Sequence, residues 1–411
     1  MRRTLAGVAA GLMVLTAAPA AADNAGKSTM TDFHAWESTK DFQAGINEGT
    51  AATSTGLAMT RAAGTTSYTD PHTGRTQDFE YARWTSPRRD LPFGATELVA
   101  SWNATTPADT WLQVEARGQA NWYVLGRWAS ADTLVKRTSV PGQSDATAFV
   151  DVDTLKAKVP LRAYQLRVTL YRVPGSRNSP NLTMAGAMAS AIPDRFTVPT
   201  SGPGGAWGIE LPVPRYSQNL HRGNFPEYGG GGEVWCSPTS TEMVLEYWGR
   251  RPTAEQMSWI PQGYVDPSVA YSARFNYDYD YEGTGNWPFN TAYAASFGLA
   301  GHITRLGSLA ELESYVKRGI PVITSQSFLA NELDGAGYGT SGHIMVVVGF
   351  TKTGDVIAND PASPDNPAVR HVYKRAQFEN IWQRTKRYRA DGTVASGPGG
   401  IAYIIRPRWH R

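Results

Sequence analysis

The chain contains a single cysteine, Cys236, among its 411 residues. Cys236 has no partner in the chain, so it cannot be half of an internal disulfide. Exported proteins usually use their cysteines in pairs, which makes an unpaired thiol in such a protein informative. Cys236 directly precedes a helical pattern that begins at Pro238, and the positive end of a helix favours a thiolate nucleophile. The alternative is a buried structural cysteine that packs as a small hydrophobic side chain.

The N-terminus has the features of a secretory signal peptide. Arg2 and Arg3 form a charged region, residues 5–15 form an apolar core, and Ala20-Ala21-Ala22 is a cleavage site of small residues. The core is too short to span a bilayer, and no later segment is apolar over about 18 residues. We therefore expect residues 1–22 to be removed, leaving a secreted protein with no membrane span.

Charge and motifs exclude several function classes. The 39 basic and 36 acidic residues give no general attraction to nucleic acid. The C-terminal segment is locally basic, which indicates a solvated face or, less favoured, contact with an anionic cell-wall polymer. Asp278, Asp280 and Glu282 are spaced like part of a calcium loop, but Phe289 occupies the position of the glutamate that would complete it. With no phosphate loop, dinucleotide fingerprint or paired metal ligands, we expect no metal and no cofactor.

Residues 30–197 show the alternation of β-strands that bury one face. The apolar residues that recur at every second position are Leu98, Ala100 and Trp102, Leu112, Val114 and Ala116, Val150 and Val152, and Leu166, Val168 and Leu170. Such strands, separated by turns rich in Pro, Gly, Asn and Asp, are typical of an antiparallel β-sandwich. Trp111, Trp122, Tyr123 and Trp128 are interpreted as core and scattered surface aromatics, with a ligand-stacking face as the alternative.

Residues 198–205, rich in Pro and Gly, interrupt this pattern and are predicted to be a linker. Residues 206–411 then show a mixed α and β pattern, which predicts a second domain. Ser308 and Glu311 form a capping box that predicts the start of a helix. A Gly-rich turn at 335–342 leads into an apolar run that begins at His343 and is typical of a strand buried on both faces.

A cysteine nucleophile needs a base, a group that orients the base, and donors for the oxyanion. Of the seven histidines, His343 alone begins a strongly apolar strand directly after a Gly-rich turn, so its ring would be open to a cleft. Gln218, upstream of the cysteine, is the candidate oxyanion donor together with the backbone N–H of Cys236.

Asp360, which follows the short strand 356–359, is the candidate orienting group. A turn centred on residues 351–352 places it directly opposite His343, whereas a turn centred on residues 353–354 leaves the two about 13 Å apart along the strands. A longer loop or a bulge would bring them together. Asn359 points to the other face and is an alternative only if the register differs by one residue.

These segments, in this order, resemble the C39-like cysteine peptidases, which have a papain-like fold. The resemblance covers roughly residues 206–405 and is carried by Gln218, Cys236-Ser237-Pro238-Thr239-Ser240 with Met243-Val244-Leu245, His343 with its apolar strand, and Asn359-Asp360-Pro361. Residues 285–293 are similar to a segment of a secreted actinobacterial branch in which a β-rich domain precedes the peptidase domain. The resemblance implies an α+β domain in which Gln218, Cys236, His343 and Asp360 are oxyanion donor, nucleophile, base and orienting group.

Two features depart from the family pattern. Ser237 follows the cysteine where Gly is common, and the interval between Gln218 and Cys236 contains the four glycines 229–232. That interval indicates either a mobile loop that gates the cleft or a misassigned Gln218. The better-known relatives are transporter domains that cut leader peptides, and their substrate is not carried over to a chain without a membrane span.

The sequence thus predicts an exported cysteine peptidase that hydrolyses peptide or protein substrates. The alternatives are an amidase of peptidoglycan stem peptides and a catalytically silent binding protein of the cell surface. Trp235, Trp287 and Asn359 are expected to line the substrate cleft.

Overall fold

The structure, a computed structural model, describes residues 29–410, and the predicted signal peptide at 1–22 lies outside them. Within these residues, the N-terminal half contains one short helix and twelve strands, all paired antiparallel. Their bounds are β1 Met30–Trp36, α1 Thr39–Ala44, β2 Ile46–Glu48, β3 Thr50–Thr53, β4 Gly56–Met59, β5 Gly64–Thr69, β6 Thr76–Thr85, β7 Arg89–Thr105, β8 Thr110–Arg117, β9 Trp122–Trp128, β10 Ala148–Asp151, β11 Thr154–Arg172 and β12 Asn181–Ala191.

Two long strands connect the N-terminal half. The first part of β11 pairs with β7, and its second part, from Gln165 onward, pairs with β8 and β6. Irregular pairing after Lys156 lets β11 bend between these partners. The predicted antiparallel, β-rich N-terminal half is therefore confirmed, but all its strands belong to one hydrogen-bonded sheet that β7 and β11 hold together.

The strand patterns are correct in part. Every residue of β7 from Leu98 to Ala104 is buried, so this strand has no wet face, because the C-terminal half packs against it. Val152 was predicted to lie in a strand, but it lies between the observed strands β10 and β11. It occupies the turn between β10 and β11 with a φ of 54°, a conformation that β-branched residues rarely adopt.

Three of the four aromatic residues that could have formed a ligand-stacking face belong to the core. Trp111, Tyr123 and Trp128 are buried, and Trp122 lies under the guanidinium groups of Arg117 and Arg167. The ligand-stacking face is therefore not formed by these residues.

The C-terminal half contains five helices and eight strands within residues 29–410. Their bounds are α2 Cys236–Tyr247, α3 Pro267–Asn276, α4 Trp287–Ser296, β13 Leu299–Arg305, α5 Leu309–Lys317, β14 Val322–Phe328, β15 Thr340–Phe350, β16 Val356–Asn359, β17 Arg370–Tyr373, α6 Arg375–Gln383, β18 Lys386–Tyr388, β19 Val394–Ser396 and β20 Ile401–Pro407. No helix in the described part of the chain is long and apolar enough to cross a membrane.

A six-stranded antiparallel sheet, in the order β13-β20-β14-β15-β16-β17, forms the centre of this half. Strand β15 is buried on both faces, as its apolar run predicted. Ile344, Val346 and Val348 pack into the core that contains α2 and α4, whereas Met345 and Val347 pack into the core that contains α5 and α6. Helices therefore cover both faces of the sheet.

The two halves share one hydrophobic core. Phe289 of α4 packs between Trp102 and Trp128 of the N-terminal half. At the sheet edge, the side-chain amide of Asn103 accepts from the N–H of Gly301 and donates to its carbonyl oxygen, at 2.9 and 2.6 Å. The side chain thereby imitates a neighbouring strand along β13, which fixes the two halves against each other.

Residues 198–205 contain no helix or strand and are held on the C-terminal half by buried ionic side chains. Glu379 accepts from the N–H of Ser201, Glu313 accepts from that of Gly204, and Arg375 donates to the carbonyl oxygen of Ser201. The segment is therefore anchored along its length.

Candidate active site

Cys236 is the first residue of α2. The helix therefore begins two residues earlier than the predicted start at Pro238. The first intrahelical bond runs from the N–H of Thr239 to Trp235, so the N–H groups of Cys236 and Ser237 have no partner within the helix. Pro238 has no N–H to leave unpaired at this position. The thiol is half-buried and lines a cleft with a volume of ≈ 1290 Å³.

His343 and Asp360 meet through a register that lies between the two predicted alternatives. Strand β15 pairs with β16 from Phe350–Val356 to Val346–Asn359, with an irregularity after Val347. The connecting loop has five residues, and Asp360 lies level with Met345, two residues from His343. The longer loop and the bulge bring the side chains together, since Nε2 of His343 lies 2.8 Å from Oδ1 of Asp360.

The imidazole links the carboxylate to the thiol. Because Asp360 occupies Nε2, Nδ1 is the nitrogen left to face Cys236, which also influences the protonation of the ring. Burial opposes protonation of His343, but the Asp360 carboxylate and Cys236 outweigh it and raise its pKa. Burial also opposes ionisation of Asp360, yet His343, the hydroxyl of Tyr373 and the N–H of Ala362 lower its pKa. Both shifts favour an imidazolium at His343 paired with the Asp360 carboxylate.

Two tyrosines that the sequence did not single out hold the other carboxylate oxygen. The hydroxyls of Tyr338 and Tyr373 each donate to Oδ2 of Asp360 at 2.8 Å, while the N–H of Ala362 donates to Oδ1. Burial, together with Asp360, raises the pKa of both hydroxyls, so they remain donors. The ring of Tyr338 also packs edge-on against His343, which fixes the imidazole from the cleft side.

Replacement of Tyr373 by phenylalanine is expected to lower kcat by about 10- to 100-fold, because it loosens the group that orients His343. The tyrosine is one of the groups that lower the pKa of Asp360, so its loss raises that pKa. The acid limb of the kcat–pH profile should therefore move to higher pH. The matched control is Tyr164→Phe, which removes the hydroxyl of a buried tyrosine in the N-terminal core and should leave kcat unchanged. A kcat within twofold of wild type with an unmoved acid limb would contradict this role.

Gln218 is buried beside the cysteine and lines the same cleft. Its backbone N–H donates to Pro361 next to Asp360, and its Nε2 donates to the carbonyl oxygen of Glu233 at 2.7 Å. An amide nitrogen has two hydrogens, so one remains for a ligand. Gln218 and Cys236 thus line the same cleft, as the sequence predicted.

The Gly-rich interval before the cysteine folds against Gln218. Gly229, Gly230 and Gly231 adopt φ angles of 85°, 107° and 127°, which favour glycine. A Cβ on Gly232 would lie 2.4 Å from the carbonyl oxygen of Gln218. These glycines let the chain close tightly around Gln218, so the interval is accommodated in the site.

Ser237, the second departure from the family pattern, faces away from the cleft. Its hydroxyl lies 3.0 Å from that of Tyr403, and both side chains are buried. A serine is thus accommodated under the helix without entering the space in front of the thiol.

Of the three residues expected to line the cleft, Trp287 does so and two do not. Trp235 is fully buried and donates from Nε1 to the carbonyl oxygen of Tyr228. Asn359 is buried on the opposite face of β16, where it donates to the carbonyl oxygen of Pro214. The cleft predictions for Trp235 and Asn359 are therefore corrected, because both side chains support the walls from behind.

The acidic residues near position 280 have a structural role. The carboxylate of Asp278 accepts hydrogen bonds from the N–H groups of Ser139 and Asp280 and from the side chain of Asn286. N–H donors thus occupy the oxygens that a cation would need. Within residues 29–410 no cluster of His, Cys, Asp and Glu could hold a metal ion.

Two models of known protein families match this chain, one in each half. Residues 32–190 match the family described as the peptidase C39 N-terminal domain, and residues 210–390 match the peptidase C39-like family. No curated protein matches the sequence. A crystal structure from Bacillus anthracis, assigned as a C39-like peptidase, is 18% identical and covers 49% of this chain and 98% of its own, with a TM-score of 0.29. The two halves of the chain are thus similar, in succession, to the peptidase C39 N-terminal domain and to the peptidase C39-like family.

Proposed function

We propose that this protein is an exported cysteine peptidase that hydrolyses peptide bonds in a papain-like manner. The observation that carries the proposal is the hydrogen bond between His343 and Asp360 in an open cleft that Cys236 also lines, at the N-terminal end of a helix. The match of residues 210–390 to the peptidase C39-like family supports the reaction class. Export is supported by the composition of residues 1–22.

In the proposed reaction, Nδ1 of His343 transfers protons while Nε2 stays bonded to Asp360. His343 takes the thiol proton at Nδ1, and the sulfur attacks the peptide carbonyl carbon. The tetrahedral intermediate collapses when the imidazolium returns that proton to the leaving amine, and an acyl-enzyme thioester remains. His343 then takes a proton from water, which attacks the thioester and releases the acid and the free thiol. Asp360 stays ionised and holds the ring throughout.

The oxyanion is stabilised in both steps by donors that are already in place. We assign this role to the N–H of Cys236, which has no partner within the helix, and to the second hydrogen of Gln218 Nε2 in the same cleft. Such donors act without reorganisation, and one of them typically contributes 10²- to 10³-fold in rate.

Thiol reactivity tests the proposal against a silent binding protein. If His343 holds the sulfur as a thiolate, iodoacetamide should label Cys236 stoichiometrically at pH 6, at a rate close to that at pH 8. A rate that falls about tenfold for each unit below pH 8 would indicate an ordinary thiol and sink the proposal. Digestion of a peptide library and of peptidoglycan stem peptides, analysed by mass spectrometry, then separates a peptidase from a stem-peptide amidase.

A further inference from the structure

The cleft that contains Cys236 is built by both halves of the chain. Thr96 and Glu97 of β7 and Thr154 and Lys156 of β11 line it together with the residues of the candidate active site. The turn before β11 is fixed to the C-terminal half, because Asp153 accepts a hydrogen bond from the N–H of Trp287 at the start of α4. A substrate that extends along the cleft therefore contacts the N-terminal half.

Lys156 is held in this wall by an ionic series that leaves most of its donors free. Glu97 lies opposite it across β7 and β11 and accepts from Nζ at 2.7 Å. The other oxygen of Glu97 accepts from Arg305, whose remaining contacts include the carbonyl oxygens of Pro398 and Gly399. An ammonium group has three donors, and Glu97 takes one. With 29% of its side chain exposed, Lys156 presents a cation to the cleft.

Two further polar groups line the same cleft. Lys386 lines it from β18, with Nζ 3.4 Å from Asp194 and a third of its side chain exposed. Ser327 also lines it. Its hydroxyl is buried and has no hydrogen-bond partner among residues 29–410. Buried hydroxyls are usually paired, so this one is suited to a ligand.

The charges along the cleft are distributed unevenly. Around the N-terminal wall its lining carries three cations against two anions, namely Lys156, Arg305 and Lys386 against Glu97 and Asp194. Around Gln218 it carries one cation against two anions, namely Arg222 against Glu233 and Glu282. Such a field directs a negatively charged group of a ligand toward Lys156.

We propose that Lys156, with Lys386 and Ser327, forms a subsite for a carboxylate of the peptide substrate, so that the N-terminal half takes part in substrate selection. The inference rests on the proposed function, since that function makes the ligand a peptide. The carboxylate belongs either to an acidic side chain or to the C-terminus of the peptide, and the two sources share the same chemistry.

The test measures peptide binding to the Cys236→Ala protein by fluorescence anisotropy, so that it does not depend on turnover. The probes are hexapeptides of Ala and Gly, acetylated and amidated, with Glu or Gln scanned through each position, and the same peptides with a free C-terminal acid. We expect one Glu position, or the free acid, to bind more tightly than its neutral match. Adding Lys156→Met should weaken that binding about tenfold and leave the neutral peptides unchanged. A smaller loss is expected for Lys386→Met.

The matched control is Lys158→Met, which removes the same side chain two residues along β11. Lys158 donates to Ser144 and to the carbonyl oxygen of Asp145, and it does not line the cleft. Equal binding of Glu and Gln peptides, or an equal loss of both in Lys156→Met, would overturn the subsite. If the wild type cleaves no peptide while Lys156-dependent binding persists, the peptidase proposal fails and the subsite stands. If the wild type cleaves peptides but Lys156→Met binds acidic and neutral peptides as the wild type does, the subsite proposal fails and the peptidase proposal stands.

Discussion

Replacement of Cys236 by alanine is expected to lower kcat/KM for peptide hydrolysis by at least about 10⁴-fold, which is the loss seen when a covalent nucleophile is removed. The residual donors of the oxyanion site cannot replace the thioester intermediate. The side chain is small and only half-buried, so the thermal unfolding midpoint should change little. Progress curves with a peptide that the wild type cleaves provide the measurement.

The same variant also tests whether Cys236 is the group that attacks the peptide carbonyl. Since the chain has no second cysteine, Cys236→Ala must lose all covalent labelling by iodoacetamide. A variant that keeps more than about 1% of the wild-type activity would mean that another group attacks the carbonyl, and the proposed mechanism would be wrong.

Replacement of His343 by alanine is expected to lower kcat/KM by about 10³- to 10⁵-fold, because both proton transfers depend on this ring. Asp360 and Cys236 raise the pKa of His343, so its imidazolium persists across neutral pH and stabilises the thiolate there. Without the ring, iodoacetamide labelling of Cys236 should become slow below pH 8 and rise with pH. Labelling rates between pH 5 and 9, measured with hydrolysis rates, give two independent readouts.

His371→Gln is the matched control for this variant. His371 lies on the neighbouring strand β17, bonds to Ser363 and stacks on Tyr373, but it does not line the cleft. Labelling and hydrolysis should stay near wild-type values. Equal effects of the two substitutions would mean that the loss comes from disturbance of the sheet.

The sequence was most informative where local patterns determine the structure. The apolar run after His343 predicted a strand buried on both faces, and Ser308 caps the predicted helix through the N–H of Glu311. The register between β15 and β16 was not predictable, because it depends on a five-residue loop and a bulge that leave no clear signal. A shift of one residue there would have turned Asp360 away from His343.

The contacts that complete the site come from residues distant in sequence. Tyr338 and Tyr373 reach Asp360 from a loop and from β17, and a lone tyrosine has no sequence signal for that contact. The burial of both faces of β7 was missed for the same reason, since alternation describes one sheet and not the body that packs on it. Trp235 was placed in the cleft by proximity to Cys236, but its direction is set by its bond to Tyr228.

The side chains of Asn103 and Ser101 occupy the outward N–H groups of Gly301 and Ile303 on β13. An uncovered border strand is a template on which other polypeptides can add and aggregate. The N-terminal half thus covers the exposed edge of the C-terminal sheet and blocks strand addition there. Proteolytic loss of residues 30–190 would leave a fragment that precipitates, even though every group of the proposed reaction would still be present in it.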